Sequence, residues 1–176
     1  RMAKESGILC DFITLDNGCS RINVKMKDFD GTEINGMGPV ISEAAIEQLL
    51  KQLRRLSAGD ILVLAGSIPS CVRDSIYRDI MSELKDQGIL FVVDATKKLL
   101  LNVLEFHPFL IKPNNHELGE IFGVEITTRE SVVPYAKKLQ EMGAKITNYD
   151  DAIRIKSQGR LRYTTVKTRT YPGFPT

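Results

Sequence analysis

Three short apolar runs, each opening into a polar or glycine-rich turn, constrain this fold more than any other feature of the chain. They are "DILVLAG" (60–66), "ILFVVDA" (89–95) and "FLIKP" (109–113). A short continuous apolar run without polar alternation is typical of a strand buried on both faces. Helices are expected between and after these runs. One covers about 72–87, with Ile76, Ile80 and Leu84 at four-residue spacing and Gly88 as its stop. A short one lies in "KKLLLNVLE". "NNHELGEIF" is a third, ended by Gly123, and about 128–142 a fourth, ended by Gly143. Ahead of them a helix starts at an N-cap on Ser42, with Ala45, Leu49, Leu53 and Leu56 on one stripe. Strand and helix in alternation predict an α/β fold with a parallel sheet and right-handed crossovers. Ligands then belong beyond the carboxyl ends of the strands.

The first forty residues follow a different rule. "ILCDFITLD" (8–16) and "SRINVKMK" (20–27) both read as strands. In the second, Ile22, Val24 and Met26 alternate with Arg21, Asn23, Lys25 and Lys27, so one face is apolar and the other cationic. The Asp30-Gly31 turn makes 20–35 a hairpin. The 176 residues suit one domain with a small appendage, and 43% hydrophobic with 26% charged residues is ordinary for a soluble globular protein. No apolar run approaches the ~20 residues of a membrane span, and the start lacks the apolar stretch of a signal peptide. Cys10, Cys19 and Cys71 are too scattered for a disulfide scaffold or a zinc site; reduced thiols and a cytoplasmic location are expected. Residues 145–176 hold seven Lys and Arg against two Asp, whereas the rest holds 17 basic and 20 acidic side chains. The expected divisions are therefore 1–41 (lead-in strand and hairpin), 42–144 (α/β core) and a basic tail over 145–176.

The turns after the three runs, "LAGSIPS", "VVDATKK" and "IKPNNHE", emerge on one edge of a parallel sheet. Pro113 keeps Lys112 extended, so the third strand ends cleanly. Asn114 and Glu117 have the spacing of a helix capping box, which by itself explains both. The same amide and carboxylate could instead hold a hydrated Mg²⁺ beside phosphate, since Mg²⁺ takes few protein oxygens and keeps its waters. "GSIPS" carries backbone N–H groups and the Ser67 hydroxyl suited to an anion, although Gly and Pro there also serve a plain turn. Arg21 and Lys25 lie on the polar face of their strand. Arg suits bidentate phosphate contact, and equally a solvated edge. His107 and His116 have no Cys or carboxylate at metal-ligand spacing and read as polar surface.

Taken together, "SRINVKMK…GTEINGMGP", "GDILVLAGSIP", "VVDA" and "FLIKPNNHELGEIFG" resemble the PfkB (ribokinase-like) carbohydrate kinases, in the branch of 1-phosphofructokinase and tagatose-6-phosphate kinase. The resemblance spans about residues 7–144. It implies a ribokinase-like three-layer sandwich with a mostly parallel sheet and a small β lid. It also implies ATP-dependent phosphorylation of a furanose sugar phosphate. By resemblance, Asn114 and Glu117 organise Mg²⁺ and the nucleotide phosphates, and Lys112 lies near the transferring phosphoryl group. Arg21 grips the substrate's existing phosphate, Ser67 lies near it, and Asn35 leads into the sugar site. Lid strands that pair between subunits would make a homodimer; neither nucleic acid nor membrane is an expected partner.

Two departures from the family pattern accompany the match. The family's opening strand, with an Asp for sugar hydroxyls, has no counterpart before Arg1. No Gly-x-Gly-Asp occurs in the sequence, where the family's Gly-Ala-Gly-Asp supplies the anion hole and the general base. The chain is therefore expected to be a kinase fragment with no catalytic base of its own. The tail from Lys145 diverges too, with one exposed strand expected in "LRYTTVKTRTY" (161–171). The alternative to a kinase is a non-catalytic fragment that binds sugar phosphate or nucleotide. A dinucleotide-binding dehydrogenase fits poorly, because the Gly-rich fingerprint and its following acid are missing.

Overall fold

A computed structural model describes residues 7–26, 33–66, 68–147, 153–157 and 160–164. The chain forms two compact units, Arg1–Arg55 with Ile68–Arg73, and Leu56–Ser67 with Asp74–Thr176.

In the first unit, β1 (Asn23–Lys25) and β2 (Glu33–Asn35) pair antiparallel, with Asn23 opposite Asn35 and Val24 opposite Ile34. The Asp30-Gly31 turn lies outside the described residues. Gly36 continues the pairing, its N–H donating to the Ile22 carbonyl at 2.9 Å. A Cβ on Gly36 would stand 2.7 Å from that same oxygen, so only glycine permits the approach. The apolar side of the hairpin is open: Ile22, Val24 and Ile34 are all exposed. Residues 8–16, expected as a strand, carry none. A strand exists through its ladder partner, and this segment makes no ladder among the described residues. α1 (Glu43–Leu53) starts as expected, the Ser42 hydroxyl accepting from the Ala45 N–H. Its buried residue is Ile46, one position from the anticipated stripe.

The second unit is built on β3 (Ile61–Ala65), β4 (Leu90–Asp94), β5 (Leu110–Ile111) and β6 (Ile146–Thr147), parallel and in that spatial order. Between β3 and β4 comes α2 (Ile76–Leu84), then a 3₁₀ turn that Gly88 ends in the left-handed region. α3 (Lys97–Leu101) and a second 3₁₀ turn (Leu104–Phe106) lead to β5. α4 (Asn115–Phe122) and α5 (Arg129–Glu141) lead to β6. Strands that advance one place at a time through right-handed crossovers put all their connecting helices on one face.

Burial follows that rule. Leu64, Phe91, Val93 and Ile111 are buried, and so are Ile80, Met81, Leu84, Leu100, Leu118 and Leu139 from the helices. On β3 the alternate residues Ile61 and Val63 are 39% and 58% exposed. The expectation of a strand buried on both faces is thus corrected. Among the described residues β3 stands at one end of the strand order, and with Ile61 and Val63 exposed its apolar run is covered on one face. In the tail, β7 (Ile153–Ser157) and β8 (Arg160–Thr164) pair antiparallel; β8 overlaps the start of the strand expected over 161–171, whose remainder, 165–171, lies outside the described residues. Among the described residues, no helix is long and apolar enough to cross a membrane.

Candidate functional site

β3, β4 and β5 are parallel, so Gly66, Ala95-Thr96 and Lys112-Pro113-Asn114 leave the sheet on its carboxyl edge. Ala65 is level with Asp94, and Val93 is level with Ile111. The ladder runs one residue past β5, the Lys112 N–H donating to the Val93 carbonyl at 3.1 Å. Lys112 therefore stands beside Asp94, and its Nζ lies 3.2 Å from Asp94 Oδ2. Both side chains remain about half exposed, at 49% and 43%.

Pro113 is buried and ends the strand; α4 begins two residues on. Its cap is reciprocal: Asn114 Oδ1 accepts from the Glu117 N–H at 2.8 Å, and Glu117 Oε2 accepts from the Asn114 N–H at 2.9 Å. The local reading of Asn-x-x-Glu as a capping box is thus present in full. It commits one oxygen of each side chain, and no bond to the second Glu117 oxygen is found among the described residues. A carboxylate at a helix N-terminus with one oxygen in reserve, next to an amide, is a donor set that suits Mg²⁺ through water. Among the described residues no cluster of three or more His, Cys, Asp or Glu forms a cage for a metal. The donor chemistry therefore fits an ion that would be held largely by water and phosphate.

Two further residues shape this edge, and neither was anticipated. Asp94 is one. Tyr77 of α2 is the other: it is buried, and its hydroxyl donates to the Gly66 carbonyl at 3.2 Å. Gly66 has φ +93°, which turns the chain sharply off β3. Burial, and after it the negative charge of Asp94, push the Tyr77 phenol above its usual value. The sequence held a signal for Asp94, an acid at the last position of an apolar strand.

Of the anticipated residues, Lys112, Asn114 and Glu117 share one turn of the second unit. Arg21 and Asn35 share the hairpin of the first, both exposed, the Arg21 Nε donating to the Gly36 carbonyl at 3.1 Å. Ser67 lies outside the described residues. The first unit also holds an open cavity of about 630 Å³ lined by Thr14, Asp16, Asn17, Gly38, Ser42 and Gln48 among others, but by neither Arg21 nor Asn35. His107 is exposed, with Nδ1 3.2 Å from the Gly143 carbonyl oxygen.

Comparison with known proteins gives one family. The chain is 51% identical over 128 residues to the 1-phosphofructokinase of Bacillus subtilis, which covers 73% of this chain and 42% of that protein. It is 30% identical over 165 residues to the D-tagatose-1-phosphate kinase of Bacillus licheniformis, covering 91% and 54%. The chain thus spans about half the length of the curated relatives it matches. Among solved structures, the tetrameric inhibited form of Escherichia coli phosphofructokinase-2 superposes with TM-score 0.75 at 22% identity, covering 92% of this chain and 56% of that one. That likeness carries the ribokinase-like α/β fold. The sequence profile of the pfkB family carbohydrate kinases matches residues 1–148. The chain belongs to the pfkB family of carbohydrate kinases.

Proposed function

We propose that this chain is the part of an ATP-dependent 1-phosphofructokinase that holds the nucleotide phosphates and the sugar lid. The reaction is transfer of the ATP γ-phosphoryl group to O6 of fructose 1-phosphate. The observation that carries the reading is the shared turn of Lys112, Asn114 and Glu117 on the carboxyl edge of the parallel sheet. Phosphoryl transfer needs positioning and charge neutralisation more than covalent chemistry, and this turn supplies a cation, a carboxylate and an amide. Glu117 and Asn114 would hold Mg²⁺ through water, and bound Mg²⁺ would neutralise the phosphate oxygens. Lys112 would bind the γ-phosphate, while Arg21, Asn35 and Ser67 would bind the sugar phosphate. Both named relatives act on a ketohexose 1-phosphate, which favours fructose 1-phosphate over a 6-phosphate. The exposed apolar side of the hairpin, with Val24 opposite Ile34, supports pairing with the hairpin of a second copy. ATP and a sugar phosphate as substrates support a cytoplasmic location.

The sequence has no Gly-x-Gly-Asp, so this chain by itself binds its ligands without turnover. Titration calorimetry with fructose 1-phosphate and with Mg-ATP, beside a coupled assay for ADP release, tests the reading. The expected outcome is binding of both ligands with no ADP released by this chain. Absence of nucleotide binding would overturn the assignment of the edge, and robust turnover would show that another residue serves as the base.

A further inference from the structure

We propose that Asp94 is a positioning residue, which holds the Lys112 ammonium over the carboxyl edge of the sheet so that it meets the terminal phosphate of the nucleotide. The inference rests on the nucleotide reading of that edge. A lysine carries a compact charge on a flexible four-carbon stem, and left alone it spreads that charge over many rotamers. Here the parallel ladder, extended by the Lys112 N–H to the Val93 carbonyl, sets residues 94 and 112 side by side. The Asp94 carboxylate then takes Lys112 Nζ at 3.2 Å. Pro113 keeps the lysine backbone extended, so the side chain leaves from a fixed base. The carbonyl of Gly66 on the neighbouring turn is in its turn held by the Tyr77 hydroxyl. Side chains outside the Asn-x-x-Glu box thus make contacts at the carboxyl ends of all three strands. An ion pair this exposed contributes little to stability, so the constraint on Lys112 is its main physical effect.

The test uses the whole chain as wild type, Asp94→Asn and Asp94→Glu, each checked for folding by circular dichroism. Without nucleotide, N-hydroxysuccinimidyl acetate labels exposed amines, and mass spectrometry reads Lys112. Loss of the partner in Asp94→Asn is expected to raise Lys112 labelling roughly two- to fivefold, the factor by which an exposed pair shifts an equilibrium, and Asp94→Glu is expected to restore slow labelling. Calorimetry then compares Mg-ATP with Mg-ADP. Removing a negative charge alone shifts both affinities in the same sense, whereas loss of a positioned cation at the terminal phosphate lowers the preference for ATP over ADP. A fall of that ratio in Asp94→Asn, recovered in Asp94→Glu, supports the proposal. Unchanged labelling, or an unchanged ratio with both nucleotides bound, overturns it. A wild-type chain that binds neither nucleotide overturns the reading of the edge, and the role of Asp94 with it, while the labelling contrast still judges whether the pair restrains Lys112.

Discussion

Asn114 and Glu117 exchange two hydrogen bonds across the first turn of α4, at 2.8 and 2.9 Å, so one pair of side chains both starts the helix and fixes the carboxylate on the sheet edge. Structure and proposed chemistry can be separated by substitution. Asn114→Ala removes the acceptor for the Glu117 N–H and is expected to cost about 1 kcal/mol. Glu117→Gln keeps an oxygen for the Asn114 N–H but removes the charge. Its stability should stay within about 0.5 kcal/mol of wild type, while Mg²⁺ no longer strengthens nucleotide binding. Urea unfolding and calorimetry with and without Mg²⁺ check the two halves.

Gly119 of α4 offers a prediction against the usual direction. Replacing an interior helix glycine with alanine ordinarily stabilises by about 1 kcal/mol. A Cβ here would run into the Val124 carbonyl oxygen, which is backbone and cannot swing aside. Gly119→Ala is therefore expected to destabilise by about 1–3 kcal/mol. The Val124 N–H donates to the Gly119 carbonyl at 2.9 Å, so the clash also disturbs the turn that ends the helix. A denaturation midpoint at or above that of wild type would contradict the predicted contact.

Local features of this molecule were legible in the sequence, and non-local ones were not. The capping box needs only two residues three apart, and the stops at Gly88 and Gly123 need only one glycine each; all are found where expected. The order of strands and helices from β3 to α5 was equally plain, because each apolar run ends at its own turn, whereas the two-residue β6 carries no such run. What could not be read depended on neighbours. "ILVLA" looks the same whether a sheet is covered once or twice, and only the strand order puts β3 at one end among the described residues. The segment 8–16 has strand-like residues, yet no partner gives it a ladder among the described residues. The Asp94–Lys112 pair depends on the register of β4 against β5, which no spacing along the chain encodes.

The asymmetry of the sheet predicts opposite outcomes for two valines one pair apart in the ladder. Val93 is 0% exposed and packs on the helix side, whereas Val63 is 58% exposed on the other. Val93→Ala should cost about 2 kcal/mol through lost burial and the cavity left behind. Val63→Thr keeps the β-branched shape a strand favours and should change stability by less than about 0.5 kcal/mol. Equal losses at the two sites would mean that the outer face of β3 is covered.

Tyr77 links stability to alkaline pH with a definite sign. Burial, and then the negative charge of Asp94, raise its pKa above the ordinary value of 10.0. A raised folded value means that the folded state holds the phenolic proton more tightly than the unfolded chain. The resulting stability is complete below the unfolded pKa of about 10 and is lost as pH rises through the folded value. Wild-type stability should therefore fall above about pH 10 more steeply than that of Tyr77→Phe, which has no proton to lose. Near neutrality Tyr77→Phe should itself be weaker by about 1 kcal/mol, because the Gly66 carbonyl loses its donor. Urea midpoints across this range give the two curves, and their gap should narrow as pH rises. A gap constant with pH would show that the phenol feels neither its burial nor Asp94.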